Sequence, residues 1–233
     1  MPAEGGGEGR GMAGAEDGAE NGVPGARRPA TRDPVRAQRE ILAAARAEFA
    51  AYGLAGARVD RIATEAGLNK RMLYYYFRHK EGLFTAVLEQ VYAELSALAE
   101  TLDVEEGEPA ARLAQFVEMV FDHYARHPDS ITLLNSENLH GGRHLAQSPR
   151  LQDLSPVFRQ RLARLIERGV ADGSFRPGID EVSLYLSIVG QIYFAQSNAA
   201  TLSLFFSRDL TKPSSRDAWR RHVRAMILAG VRP

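Results

Sequence analysis

Side chains suited to binding a polyanion stand close together about one third of the way along the chain. Asn69, Lys70 and Arg71 come first, and three consecutive tyrosines follow after two apolar residues. Arginine and lysine can reach phosphates or guanine edges, and asparagine can pair with adenine. Tyrosine hydroxyls suit phosphate oxygens, and their rings can touch thymine methyl groups. These residue types indicate that the segment binds a nucleic acid.

Two short helices that meet at Gly67 would position these side chains. Apolar periodicity predicts the first helix over about 59–66 and the second over about 70–76, with Asn69 as its N-cap. Ala63 is small where the helices must approach closely, and Gly67 can take a positive φ without a Cβ clash. This spacing is typical of a helix-turn-helix, whose second helix enters the major groove of DNA.

The distribution of charge favours the same partner. The formal net charge of the 233 residues is zero, yet residues 1–26 carry −4, residues 27–90 carry +5 and residues 91–233 carry −1. The basic segment contains the predicted helix-turn-helix, and such a segment suits a polyanion.

The rest of the chain is predicted to be helical. No stretch of the sequence shows apolar and polar residues alternating between turn residues, which is the pattern of a β-strand. Residues 1–32 are rich in glycine and acids, end in a basic stretch and predict a disordered tail. A first helix begins at Asp33-Pro34 and ends at Gly53, and a long one begins near Lys80. Five more helices are predicted over about 110–126, 130–139, 155–171, 180–206 and 215–228.

We therefore predict an all-α protein of about nine helices in three parts. These are the tail over 1–32, a three-helix DNA-binding domain over 33–79 and a larger helical domain over 80–233 that binds a ligand and dimerises. No apolar run reaches the roughly 18 residues that a membrane span needs. We expect a cytoplasmic protein without a membrane partner.

Composition argues against an enzyme. The chain has no cysteine, which excludes disulfides, thiol nucleophiles and cysteine-ligated metals. No glycine-rich loop follows a strand, and no serine or pair of carboxylates has a recognisable catalytic context. His123 and His127 lie four residues apart, a spacing that can bind a metal, but helix-end or surface histidines are the simpler reading. We predict no cofactor and no metal.

A family resemblance sharpens these predictions. The run RVDRIATEAGLNKRMLYYYFRHKEGLF, preceded by ILAAARAEFAAYGLAGA, resembles the N-terminal DNA-binding domain of TetR-type transcriptional regulators. Many members carry two threonines before the first of the two short helices, where this chain has Ala57 and Arg58. The expected replacements are Gly56 as the cap and Arg58 as the phosphate ligand. The resemblance implies DNA contacts by Arg58, Lys70, Arg71, Tyr74, Tyr75, Tyr76 and Lys80. Asn69 is added to this set because its side chain can pair with adenine.

The resemblance also implies a homodimer. Two recognition helices about 35 Å apart would match one turn of the duplex. The predicted helix over 180–206 is apolar nearly all round, and the helix over 215–228, with Trp219 and Val223, is its expected neighbour. These two helices would form a four-helix bundle with their copies. A monomeric core is the alternative.

A small-molecule effector is the third implied partner. Binding pockets combine apolar walls with a few convergent polar groups. Polar residues within apolar helical stretches are Asn135, Glu137, Asn138, Gln191, Gln196 and Asn198. The preferred ligand-binding set is Phe116, Tyr124, Asn138, Gln191 and Phe194. The alternative is that the aromatic residues belong to a plain core, which is their more common role.

The combined hypothesis is a sequence-specific DNA-binding transcriptional regulator. It would act as a repressor that a bound small molecule releases from a double-stranded operator. The alternative is a helical module that binds a protein or a lipid and only retains the helix-turn-helix shape. Salt dependence separates the two, because affinity that depends on phosphate contacts falls steeply as salt rises.

Overall fold

Proline begins five of the ten α-helices in the described part of the protein. The structure, a computed structural model, describes residues 33–233, without the side chains of residues 152–158. The predicted tail lies outside the described residues. Pro34, Pro109, Pro128, Pro149 and Pro213 each stand at the first helical position, where the missing N–H would have no partner in any case. The helix starts predicted at 130, 155 and 215 are too late, because these helices begin at Pro128, Pro149 and Pro213.

The described residues form ten α-helices, one 3₁₀ turn over Leu145–Gln147 and no strand. The all-α prediction is confirmed. The helices are α1 Pro34–Gly56, α2 Val59–Glu65, α3 Lys70–Phe77, α4 Lys80–Thr101, α5 Pro109–Arg126, α6 Pro128–Leu139, α7 Pro149–Ala171, α8 Glu181–Ser197, α9 Ala199–Phe205 and α10 Pro213–Val231. None of the described helices is both long and apolar enough to cross a bilayer.

Two glycines shape the first three helices. Gly53 has a φ of 64° and kinks α1 where the sequence predicts its end, and a short turn continues to Gly56. Gly67 has a φ of 61°, which confirms the predicted turn between α2 and α3. Ile41, Phe49 and Leu73 lie in the core that these helices enclose.

The long helix α4 connects these helices to the rest of the protein. Its N-terminal half packs Leu83, Phe84 and Val87 into the core, and the helix contacts α1, α3, α5, α6 and α7 along its length. Residues 33–233 form one compact unit. The boundary between residues 79 and 80 therefore stays a prediction.

The predicted single helix over 180–206 is wrong. Asn198 separates α8 from α9, with φ −107° and ψ 10°. Its side-chain Nδ2 donates to the carbonyl oxygen of Phe194 at 2.9 Å, so the side chain contributes a local bond that helps to end the helix. Apolar periodicity continues across this residue, so the periodicity predicts no break there.

Candidate nucleic-acid interface

The recognition helix α3 is held by its own first residues and by one buried leucine. The Asn69 side chain accepts a hydrogen bond from the Met72 backbone N–H at 3.0 Å, which confirms the predicted N-cap. Leu73 is only 2% exposed and anchors α3 to the core. Because Oδ1 of Asn69 serves the cap, the amide nitrogen is the part of this side chain that can donate to DNA.

The outward face of α3 carries most of the predicted DNA ligands. Lys70 and Arg71 are exposed, and so are Tyr74 and Tyr75, the latter with 75% of its surface. Tyr76 differs, because it is half-buried and its ring contacts that of Phe77 with centroids 6.3 Å apart. The structure therefore brings four of the five α3 candidates fully to the surface.

An ion pair holds Lys70 on the same surface. Its ammonium lies 3.0 Å from Oδ1 of Asp60 in α2, and both side chains are exposed. The hydrogen bond to Asp60 raises the pKa of Lys70, so the lysine stays charged. Exposed pairs of this kind contribute little stability. Lys70 can therefore exchange Asp60 for a phosphate at small cost.

Lys80 and Arg58 are the two predicted DNA ligands that lie outside α3. The Lys80 ammonium lies 3.4 Å and 3.3 Å from the carbonyl oxygens of Ala55 and Ala57, so it ties the start of α4 to the end of α1. Arg58 is the N-cap of α2 and is exposed. The expectation that Gly56 caps α2 is wrong, because Gly56 is the last residue of α1.

Glu48 replaces the missing cap, and sequence reasoning did not identify it. This α1 residue is 9% exposed. One of its oxygens accepts from the Arg58 backbone N–H at 2.8 Å, and the carboxylate forms an ion pair with Arg61 at 2.5 Å. The Arg61 hydrogen bond lowers the pKa of Glu48 against the effect of burial. The only available signal was an acidic residue on the apolar side of α1.

The predicted effector ligands differ in how deeply they are buried. Phe116 and Tyr124 are buried in α5. Gln191 is half-buried, and its amide donates to the carbonyl oxygen of Ser187 at 2.9 Å. Asn138 is exposed on α6, and Phe194 is 57% exposed on α8. The five residues therefore differ in burial, and their role in effector binding stays a prediction.

A polar chain inside the helical domain involves other residues. Tyr193 donates from its hydroxyl to Oδ1 of Asn135 at 2.6 Å, and Asn135 donates from Nδ2 to Ser197 at 2.9 Å. The Tyr193 ring meets that of Tyr124 with centroids 5.6 Å apart. Burial raises the pKa of Tyr193 to about 12, so its hydroxyl keeps its proton. Asn135 belonged to the wider set of candidates but not to the preferred five.

His123 of α5 and His127, the C-cap residue of α5, lie side by side with ring centroids 5.0 Å apart. Burial, followed by the neighbouring His127, lowers the pKa of His123. Among the described residues, no three histidine or carboxylate groups are grouped so that they could hold a metal ion.

These features define a class of protein. A short helix with exposed lysine, arginine and tyrosine follows a tight glycine turn, and a long helix joins this unit to a larger helical domain. Such an arrangement is that of a helix-turn-helix DNA-binding regulator.

Comparison with known proteins identifies the family. Residues 41–87 match the domain described as "Bacterial regulatory proteins, tetR family", and residues 109–227 match "Tetracyclin repressor-like, C-terminal domain". The chain belongs to the TetR family and is a DNA-binding transcriptional regulator, as the resemblance implied.

Individual relatives agree with this assignment. The chain is 38% identical over 197 residues to the HTH-type transcriptional repressor NicS of Pseudomonas putida, a match that covers 84% of this chain and 93% of NicS. It is 28% identical over 200 residues to the HTH-type transcriptional regulator RutR of Escherichia coli, covering 84% of this chain and 91% of RutR. The crystal structure of the regulator SCO4942 from Streptomyces coelicolor is similar with a TM-score of 0.59 at 29% identity, covering 84% of this chain and 99% of that one.

Proposed function

We propose that the protein is a dimeric repressor that binds an operator through α3 and leaves it when a small molecule binds among the helices from α4 to α8. The observation that carries the proposal is the outward face of α3, where Lys70, Arg71, Tyr74 and Tyr75 are all exposed. NicS, which is 38% identical, is named a repressor and supports that sign of regulation. Because DNA is its partner, the proposed location of the protein is the cytoplasm.

Binding to DNA is tested by selecting duplexes with the full chain from a random-sequence library. We expect enrichment of a site with two-fold symmetry, because two α3 helices would read two half-sites. Affinity for the selected duplex should fall steeply with salt. Failure to enrich any duplex would refute operator binding and favour the helical protein- or lipid-binding module.

The surface proposed for dimerisation is the exposed stripe of α8. Val182, Leu186 and Phe194 are all exposed and spaced by multiples of four residues. Gly190 completes the spacing, and a side chain there would meet nothing within 4 Å. Met226 of α10 is exposed as well. An apolar stripe on an α-helix that the single chain leaves open suits a second copy of the same surface.

Leu186→Glu tests this surface. Leu186 is 61% exposed in one chain, so the substitution should preserve the fold but place two carboxylates in the interface. Sedimentation equilibrium should give the mass of one chain, against two for the unchanged protein. Leu139→Glu is the matched control, because Leu139 is an exposed leucine on α6. A dimeric Leu186→Glu variant would refute the assignment of α8.

The effector site is proposed around Phe116 and Tyr124 of α5. Support comes from the adjoining polar chain of Tyr193 and Asn135, since pockets combine apolar walls with a few oriented polar groups. Metabolites handled by enzymes encoded beside its gene should be screened for a rise in the thermal midpoint. An effector must also weaken binding to the selected duplex. If every stabilising metabolite leaves that affinity unchanged, release by such a ligand is refuted.

A further inference from the structure

Arg46 connects three helices at the junction between the helix-turn-helix and the larger domain. Its side chain leaves α1 and is 13% exposed. Nε donates to Asp129, one terminal nitrogen donates to Glu94 Oε1 at 2.5 Å and the other donates to Ser130 Oγ at 3.0 Å. Since Glu94 belongs to α4 and the other two acceptors to α6, one side chain holds all three helices together.

Arg46 is hydrogen-bonded to the first turn of α6 through Asp129 and Ser130. Asp129 is an acidic residue in that turn, a place where the helix dipole favours negative charge. Ser130 is completely buried. A planar guanidinium with a fixed set of donors fits only one arrangement of such acceptors. A displacement of α6 must therefore move Arg46 or break these bonds.

The opposite end of α6 also reaches the DNA-binding helices. Glu137 is buried in the last turn of α6 and accepts from the backbone N–H of His144 at 2.8 Å and from its ring Nδ1 at 2.5 Å. The His144 ring lies against Phe84 of α4 with centroids 5.2 Å apart, and Phe84 lies against Phe49 of α1 at 5.1 Å. Side-chain contacts thus connect both ends of α6 to α1, whose apolar face forms part of the core of the helix-turn-helix.

Glu94 provides a second arrangement for the same cluster. Its Oε2 is buried and has no hydrogen-bond partner. Carboxylates commonly accept two parallel bonds from an arginine. If α6 moves away, Arg46 can leave Asp129 and bind both oxygens of Glu94. The cluster therefore has one arrangement that includes α6 and one that involves α4 alone, which is the kind of two-state element that couples distant sites.

We infer that Arg46 is a positioning residue that couples the position of α6 to the orientation of the DNA-binding helices. The inference rests on the proposed function, because it requires that α3 binds DNA. The contact adds to the covalent connection through α4. Coupling is reciprocal, so fixing the helix-turn-helix on a duplex must also stabilise the first turns of α6.

Reciprocity makes the test independent of the unidentified effector. Hydrogen–deuterium exchange is measured on the full chain with and without the duplex that the protein selects from a random library. In the unchanged protein we expect binding to slow amide exchange in α3 and, by about fivefold or more, over residues 130–134 of α6. Arg46→Met should keep the slowing in α3 and lose it in α6.

Two further variants control for a purely structural effect. Asp129→Ala removes the charged contact between Arg46 and α6, keeps the Ser130 contact and leaves no carboxylate without Arg46. It serves if Arg46→Met fails to fold, and it should reduce the α6 response. Arg220→Met removes a comparable cluster, in which Arg220 of α10 binds Glu118 and Asp122 of α5 at 3.3 Å and 2.8 Å. It should keep the response.

The outcomes separate the coupling from DNA binding itself. An α6 response of unchanged size in Arg46→Met and Asp129→Ala would overturn the role of Arg46. So would slowed exchange in α3 of the unchanged protein without any change in α6. Absence of slowing in α3 of the unchanged protein would overturn the proposed function as well.

Discussion

Replacing Lys70 and Arg71 together by alanine removes the two cations at the start of α3. Both are exposed, and the partner of Lys70 is Asp60 in an exposed ion pair. The fold should therefore persist, with a thermal midpoint close to that of the unchanged protein. Neither alanine can contact a phosphate or a base edge, so affinity for the selected duplex should fall.

The size of the effect follows from counterion release. In the proposed dimer the double substitution removes four cations from the interface. Each phosphate contact contributes about 0.9 to the slope of log affinity against log salt, so four contacts contribute about 3.6. A threefold rise in salt should then weaken the unchanged protein roughly 50-fold more than the variant. Fluorescence anisotropy of a labelled duplex over a salt series measures this difference.

A matched control separates local contacts from total charge. Arg150→Ala with Arg164→Ala removes the same charge from exposed positions on α7. We expect its salt slope to remain that of the unchanged protein. Equal slopes and equal affinities for the Lys70/Arg71 variant and the unchanged protein would refute α3 as the reading helix. A lower slope in the α7 control would instead show that net charge alone governs binding.

Three further substitutions test the fold. Leu73→Ala should lower the free energy of unfolding in urea by about 2–5 kcal/mol, because Leu73 is 2% exposed, and a loss below 1 kcal/mol would contradict its anchoring of α3. Gly169→Ala should lower the free energy of unfolding by about 1–3 kcal/mol, because the added methyl group would overlap the ring of Phe175. An unchanged urea midpoint would contradict that close approach. Burial lowers the pKa of His123, so the unfolded chain binds the proton more readily and stability should fall as pH drops through about 6.5. His123→Gln should reduce that fall, whereas His222→Gln, at an exposed position, should not.

Local signals predicted the helix-turn-helix well. Gly67 and Asn69 act within a few residues of themselves, as a left-handed turn and as an N-cap, and the structure contains both. Leu73 follows from helical spacing in the same way. Helix starts at proline were less certain, because proline ends one helix as readily as it begins the next.

Contacts between distant segments could not be predicted from the sequence. Arg46 meets Glu94 and Asp129 across separations of 48 and 83 residues, and periodicity only places Arg46 beside the apolar face of α1. The preferred effector residues show the same limit. Phe194 fits the apolar pattern of α8, but the pattern does not say which side of the helix the rest of the chain covers.

Lys80 explains why the start of α4 and the DNA-binding surface should move together. Its ammonium bonds to the carbonyl oxygens of Ala55 and Ala57, and two residues later α2 begins. A shift of α4 therefore pulls on the chain that leads into α2 and α3. Arg46 bears on the same unit from α6 through the middle of α1. Under the proposed coupling, two attachments at different points would let the larger domain turn the helix-turn-helix as well as translate it, and a rotation would alter the angle at which α3 meets the groove.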